Sequence, residues 1–292
     1  MFPAAFDYHR AGSVDEAVAL LKQYGGDARI LAGGQSLIPA MRYRLARPAV
    51  LIDINPVADL GYIREGDGVL VLGALARDAA LERVPGLHDR HPLIAEVSAV
   101  VADPVVRQMG TVVGSLCHND PAGDWAVAAL ASRAQVVVRG AAGTRVVAID
   151  DFLVDSFTTA VADGEMALEA RFPAPSGRTA GCYQKIERKV GDFATASAAV
   201  WASLAADGTF AEVGIAVGAA GPTAKRITAA EALLRGKKPT RDLLRAAADE
   251  AAKAADPSAD GRGSVAYKKA MAGVLVGRAL DGTCKRLGIE AL

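Results

Sequence analysis

The sequence predicts an α+β protein of two domains, and three observations carry that expectation. The chain has 292 residues, about two domains at the usual ~150 residues each. Strand-like and helix-like runs alternate up to the stretch PAPSGR (residues 173–178), whose Pro, Gly and Ser mark a linker. Beyond it, three consecutive strand-like runs precede three helical segments, the order expected when helices cover one face of an antiparallel sheet. A hydrophobic content of 51% is enough to bury a sizeable core.

The elements follow in order. SVDEAVALLKQYGG opens on Ser13 with Glu16 three residues on, a capping-box pattern. Val18, Leu21 and Tyr24 share one face, and Gly25-Gly26 stop the helix. Residues 28–31 read as a buried strand, 36–45 as a helix ending before Pro48, and 50–54 as a second strand. GVLVLGAL is a strand and LIAEVSAVVA a buried helix; a polar loop covers 103–124, and DWAVAALAS is a helix with Asp124 as its N-cap. QVVVRG and TRVVAI form a hairpin, and MALEARFP adds a strand. Past the linker, CYQKIERKV, FATASAAVWASLA and FAEVGIAVGAAG make a three-stranded antiparallel sheet, with Asp207-Gly208 in the second turn. Helices follow over 229–234, 240–255 and 264–280.

Lys and Arg total 33, as do Asp and Glu, so no charge excess points to nucleic acid or a membrane surface. No apolar run reaches the ~18 residues of a membrane span. The N-terminal MFPAAFDYHR lacks the basic and apolar regions of a signal peptide. Three scattered cysteines, Cys117, Cys182 and Cys284, fit a reducing compartment better than a disulfide framework. The expected location is the cytoplasm.

Two glycine-bearing stretches carry the chemistry. In Gly33-Gly34-Gln35-Ser36, glycine lets a ligand approach the backbone. Ser36 would cap the next helix, whose amides and dipole suit a phosphate. Taken alone, an ordinary strand-to-helix turn explains this stretch better. The second stretch, GTVVGSLCHNDPAGDW, offers amides near Gly110 and Gly114 and hydroxyls at Thr111 and Ser115, then Asn119, Asp120 and Asp124. Long loops inside a compact domain are usually functional. Carboxylates repel phosphate but suit ribose hydroxyls or an adenine amino group. Two such stretches in one domain point to adjacent phosphates, hence a dinucleotide.

The competing motifs fail. GRGSVA (residues 261–266) matches a Rossmann spacing but follows no strand. RGKKP lacks the phosphate-loop spacing, and Gly236 reads as a helix stop. Cys117-His118 has no second ligand pair, and His9, His88 and His91 read as surface or loop residues. No G-x-S-x-G elbow is present, and three distant cysteines do not make an iron–sulfur site. In QKIERKVGDFA the default for Lys185, Glu187, Arg188, Lys189 and Asp192 is a solvated strand face. The functional alternative sets Lys185, Asp192 and Phe193 over a ligand held by the first domain.

Together LAGGQSLIPAMRYRLARP, GTVVGSLCHNDPAGD and KIERKVGDFA, in this order over nearly the whole chain, resemble the FAD-binding subunit of molybdenum hydroxylases. The medium subunit of carbon monoxide dehydrogenase-type enzymes is the nearest group, and xanthine dehydrogenase carries a related domain. GRGSVAYKKAMAGVLVGRAL resembles the family's closing helix. The resemblance implies a vanillyl-alcohol-oxidase-type FAD-binding domain over 1–175, with α/β subdomains of about 1–56 and 57–175. A smaller α+β domain would follow over 178–288. It implies that Leu31, Ala32, Gly33, Gly34, Gln35, Ser36 and Leu37, with Thr111, Val113, Gly114 and Ser115, hold the FAD diphosphate. Asn119, Asp120 and Asp124 would line the diphosphate, ribose and adenine, and Val161 and Lys185 match further positions near the cofactor. Asp192 and Phe193 would flank the isoalloxazine. The sequence departs from the family in two places. Val113 replaces the first glycine of G-T-x-G-G, and Phe193 stands where tyrosine is common.

The implied partners are a molybdenum-cofactor large subunit, a 2Fe–2S small subunit and an electron acceptor that the sequence leaves open among NAD, a quinone, oxygen and a carrier protein. Substrate oxidation would occur at molybdenum in another chain, with electrons reaching this one through the clusters; the protein supplies binding, orientation and electrostatics. Other readings stay open at this point. The chain could be a free-standing FAD oxidoreductase, a flavin-free interaction module on the same fold, or a peptidoglycan-precursor reductase of the same superfold; the C-terminal segments speak against the last.

Overall fold

Short strands and locally capped helices build three larger sheets and one two-stranded pair among the described residues. The computed structural model describes residues 2–174 and 177–289; of the expected linker, residues 175 and 176 lie outside the described residues. The first sheet is parallel, in the order β1-β3-β2, from β1 (Asp7–Arg10), β2 (Ala28–Leu31) and β3 (Val50–Asp53). Between them run α1 (Val14–Tyr24) and α2 (Leu37–Arg42). The capping pattern forms: Ser13 Oγ accepts from the amide of Glu16, and Glu16 Oε2 accepts from that of Gly12. Gly25 ends α1 at a φ of +53°. Val18 and Leu21 are buried, each stabilising the fold by roughly 1.5–3 kcal/mol. β1 went unforeseen, and α2 is shorter than the expected 36–45.

The second sheet is antiparallel, in the order β4-β5-β10-β6-β7. Its members are β4 (Ile63–Gly66), β5 (Val69–Gly73), β6 (Gln135–Gly140), β7 (Gly143–Ala148) and β10 (Met166–Pro173). The expected hairpin is β6–β7, pairing Gln135 with Ala148. Six helices lie in sequence between β5 and β6: α3 (Asp78–Leu81), α4 (Leu87–Arg90), α5 (Pro92–Val100), α6 (Pro104–Arg107), α7 (Val112–His118) and α8 (Asp124–Ala131). The expected loop over 103–124 is therefore corrected, since α6 and α7 occupy much of it. Every residue of α8 is buried, as an all-round apolar helix requires. Its N-cap is Gly123, not Asp124. A short helix α9 (Ile149–Phe152) and the small pair β8 (Leu153–Asp155) and β9 (Thr158–Thr159) precede β10.

The third sheet has four strands, β11-β12-β13-β14, where three were expected. They are β11 (Arg178–Ile186), β12 (Ala196–Leu204), β13 (Phe210–Gly218) and the two-residue β14 (Lys225–Arg226). The fourth is too short to leave a pattern. Glu187, Arg188 and Lys189 lie past the end of β11, not on a strand face. Gly208 turns β12 into β13 at a φ of +80°. Three helices follow, α10 (Thr228–Leu234), α11 (Arg241–Ala254) and α12 (Val265–Arg286).

Alternation along β12 divides the interior. Ala198, Val200 and Ala202 join the core shared with α11 and α12, whereas Ala199 and Trp201 join the core shared with α5 and α8. The sheet is thus covered on both faces, by helices of both halves. Among the described residues no helix is long and apolar enough to cross a membrane.

Candidate functional site

The first turn leaves β2 at Leu31, at the carboxyl edge of the parallel sheet, where ligands of open α/β sheets gather. Gly34 has a φ of +71°, and a Cβ there would lie 2.8 Å from Ile38 Cδ1, so the position requires glycine. Gly33 meets a different constraint. A Cβ on it would stand 2.3 Å from the carbonyl oxygen of Met109 and 3.1 Å from Gly110 Cα. The open side of Gly33 is filled by the backbone preceding the second turn, so the two stretches abut.

Ser36 occupies the N-cap position of α2 with helical torsions and makes no capping hydrogen bond, contrary to expectation. The six residues of α2 give little helix dipole. Anion-binding capacity lies instead in the turn's amides. Those of Gly33, Gly34, Gln35 and Ser36 meet no protein acceptor among the described residues, while the Gln35 side chain folds back onto Gly33 O at 3.3 Å. Leu37 begins the helix.

The second turn is the first turn of α7. Thr111 is its N-cap, 4% exposed, and its Oγ accepts from the Gly114 amide at 3.2 Å. The Ser115 amide bonds Thr111 O at 2.9 Å. The Thr111 oxygen thus caps the helix as an acceptor, a bond that does not use the O–H expected to serve a phosphate. Val113 is 2% exposed and its side chain packs in the first core, so its Cβ does not push the backbone off a ligand.

Asn119 ends α7 in the left-handed region (φ +46°). Its Nδ2 donates to Asp155 O and Thr158 O, both at 2.8 Å, which pins the β8–β9 pair. Its Oδ1 is buried without a protein partner. Asp120 Oδ1 accepts from the Ala122 amide at 2.9 Å. Val161 is half-buried against the first core.

Asp124 faces inward. Tyr183 Oη donates to its Oδ1 at 2.6 Å, and Lys185 Nζ to its Oδ2 at 3.3 Å. Burial raises its pKa, with Lys185 and Tyr183 opposing; burial and then Asp124 hold the Tyr183 hydroxyl well above its ordinary range. Lys185 also reaches Val100 O at 3.0 Å, Asp192 O at 3.4 Å and Glu187 Oε2 at 3.0 Å. Its ammonium ties α5, α8 and the segment after β11 into one buried hub and is no solvated face. Asp192 is held by Arg188 at 3.1 Å and Arg262 at 3.2 Å. The Phe193 amide bonding its Oδ1, then the two guanidiniums, keep its carboxyl below the usual range against some desolvation. Phe193 is 46% exposed beside it.

The sequence reading passed over Asn55, Arg77, Asp78 and Tyr183. Asn55 follows β3 at the same carboxyl edge as the first turn, a topological signal that motif reading ignored. Asp78 lies under the second turn: its amide donates to Gly110 O at 3.0 Å and its Oδ1 accepts from Trp125 Nε1 at 3.0 Å. His91, expected at the surface or in a loop, lies in the connection between α4 and α5 but is only 3% exposed, with Nε2 3.3 Å from Glu65. Burial lowers its pKa, against the pull of Glu65.

The residues fit a dinucleotide diphosphate. The first turn offers consecutive unpartnered amides, neither turn contains a carboxylate, and the nearby acids are held by protein donors.

Two family models match the chain, the FAD-binding domain in molybdopterin dehydrogenase over residues 4–175 and the CO dehydrogenase flavoprotein C-terminal domain over 181–283. The carbon monoxide dehydrogenase medium chain of Hydrogenophaga pseudoflava is 41% identical, covering 98% of this chain and 99% of the relative. The 6-hydroxypseudooxynicotine dehydrogenase complex subunit alpha of Paenarthrobacter nicotinovorans is 35% identical, over 96% and 95%. Among solved structures, a Hydrogenophaga pseudoflava carbon monoxide dehydrogenase lacking the Mo-pyranopterin moiety superposes with a TM-score of 0.95 at 43% identity, over 98% and 99% of the chains. Quinoline 2-oxidoreductase from Pseudomonas putida 86 gives 0.91 at 29%, over the full length of both.

Proposed function

This chain belongs to the FAD-binding medium subunits of the molybdenum hydroxylases, carbon monoxide dehydrogenase type, and from that membership we propose that it is the electron-exit subunit of such a complex. It is an oxidoreductase subunit with FAD as its cofactor. Its partners are a molybdenum-cofactor large subunit and a 2Fe–2S small subunit. Electrons arrive from the partner's clusters and leave to an external acceptor. Bound flavin supplies the ability to collect electrons singly and release them as a pair.

The chain's own residues bind and orient. The amides of Gly33, Gly34, Gln35 and Ser36, between Leu31-Ala32 and Leu37, face the diphosphate together with the first turn of α7 from Thr111 through Val113 and Gly114 to Ser115. The unpartnered Oδ1 of Asn119, with Asp120 and Val161, serves the nucleotide end. Asp124 and Lys185 brace the hub beside it. Asp192 and Phe193 flank the ring, Phe193 stacking without the hydroxyl of a tyrosine. The domains are 1–175, in two subdomains of a vanillyl-alcohol-oxidase type, and 178–288. Three unpaired cysteines support a reducing, cytoplasmic setting.

The observation that carries this reading is the contact of Gly33 with Met109 and Gly110, beside amides that no protein acceptor meets. The test is reconstitution: the full chain, incubated with FAD and freed of excess, is expected to keep a bound-flavin visible spectrum. A colourless protein would overturn the reading.

A further inference from the structure

Two side chains from different sheets join the abutting stretches. Asn55 follows β3 in the parallel sheet, and Arg77 follows β5 in the antiparallel one. Asn55 Nδ2 donates to Ala32 O at 2.9 Å and to Asp53 Oδ1 at 2.6 Å. Its Oδ1 accepts from Arg77 Nη2 at 2.6 Å, and Arg77 Nη1 donates to Met109 O at 2.8 Å. An unbroken hydrogen-bonded path thus runs from the carbonyl before Gly33 to the carbonyl before Gly110. Asp53, at its root, accepts from the Asn55 amide at 2.9 Å and from the Tyr8 hydroxyl.

We infer that Asn55 and Arg77 form a clasp that fixes the spacing and peptide orientation of the two stretches and thereby sets FAD affinity. They act as positioning residues, and the inference rests on the FAD reading above. In a trans peptide the C=O and the following N–H point opposite ways. Holding Ala32 O on Asn55 therefore aims the Gly33 N–H away from the clasp, into the turn whose amides lack protein acceptors. A Gly-Gly turn otherwise leaves that peptide free to rotate. The chemistry of both residues is specific. A carboxamide offers a donor to Ala32 and an acceptor to Arg77 at once. A guanidinium fork reaches two separate acceptors in fixed geometry, which an ammonium does not.

The test measures FAD dissociation constants for the full-length wild type, Asn55→Leu, Arg77→Met, the double variant and Arg77→Lys, by perturbation of the flavin spectrum. Folding is checked by far-UV circular dichroism. Each single change is expected to weaken binding at least tenfold. The double variant is expected to be no worse than the weaker single, because one path is broken either way. Independent structural damage would multiply instead. Arg77→Lys, which retains charge and one bond, is expected to recover binding in part. Singles within threefold of wild type, or a multiplicative double, would overturn the clasp while leaving the FAD reading intact. A wild type that takes up no FAD would overturn both. If Arg77→Met or Asn55→Leu fails to fold, Arg77→Lys decides: full wild-type affinity refutes the need for a two-carbonyl bridge, and weakened binding in a folded protein supports it.

Discussion

Replacing Gly33 by alanine puts a methyl carbon 2.3 Å from Met109 O and 3.1 Å from Gly110 Cα, where real Cβ contacts do not fall below 3.0 Å. The obstacle is backbone on both counts, so no side chain rotates out of the way. The stretches must part by several tenths of an ångström, against the bonds that hold Ala32 O and Met109 O to Asn55 and Arg77. An amide–phosphate bond near 2.9 Å stretched by that amount passes out of good geometry. A hydrogen bond to a charged group contributes about 1.5–3 kcal/mol, so one lost bond weakens FAD roughly tenfold to 150-fold. Overpacking itself costs the apoprotein about 1–3 kcal/mol. Spectral titration with FAD and a thermal melt without it read the two effects separately. Unchanged affinity in a protein that melts lower would refute joint action of the two turns on the ligand. An unchanged melt would refute the contact itself.

Val113→Gly removes a buried side chain and adds a helix glycine, so a urea melt should show about 3 kcal/mol of destabilisation with FAD affinity kept; a gain in affinity would contradict its inward placement. Asn119→Ala loses two hydrogen bonds and strains a left-handed position, costing about 2–4 kcal/mol in the same assay; a change below about 0.5 kcal/mol would rule out its bracing of β8–β9. The Asp78 carboxyl is pushed up to about 7, chiefly by burial, with Trp125, Arg107 and Arg77 opposing. Because its native pKa lies above the unfolded value, its contribution is fully present below about pH 4 and falls as pH rises to about 7, on the order of 4 kcal/mol in all. Asp78→Asn, which keeps an oxygen for Trp125, should flatten the fall in Tm between about pH 4 and 7; an equally steep fall would assign the dependence elsewhere.

Elements determined by neighbours in sequence were legible. Ser13 with Glu16, Gly25, Asp207-Gly208 and the apolar runs of β2 and β10 form their elements locally, and each lies within a residue or two of its expected place. Elements determined by distant neighbours were not. β1 reads DYHR and β4 reads IREG, short edge strands whose side chains are mostly exposed and leave no apolar alternation. α12 continues through the polar DGTCKR because Thr283 and Cys284 are buried and Gly282 sits against Cys182, contacts that no local pattern announces. The site divides the same way. Gly, Thr, Asn and Asp between helices are the residues of phosphate cradles and equally of helix ends, and sequence alone could not tell which a given one served. Thr111 caps α7, Asn119 Nδ2 braces β8–β9, and Asp124 belongs to a buried hub with Tyr183 and Lys185, bonds that use neither the Thr111 O–H nor the Asn119 Oδ1.

Gly33 and Gly34 show why the distinction matters. Only Gly34 answers to the positive φ that motif reasoning assumes; Gly33 is small because another stretch of backbone rests on it. A turn of two glycines is the least pre-organised frame for binding an anion, since glycine loses the most freedom when fixed. Here that freedom is removed from outside, by Met109 and Gly110 pressing on Gly33 and by Asn55 holding Ala32. On the reading proposed above, affinity for a diphosphate is expected to rest as much on Asn55, Arg77 and the Met109 carbonyl as on the glycines. A chain with the same GGQS turn but an apolar residue at the Asn55 position should fold that turn and still hold the nucleotide poorly.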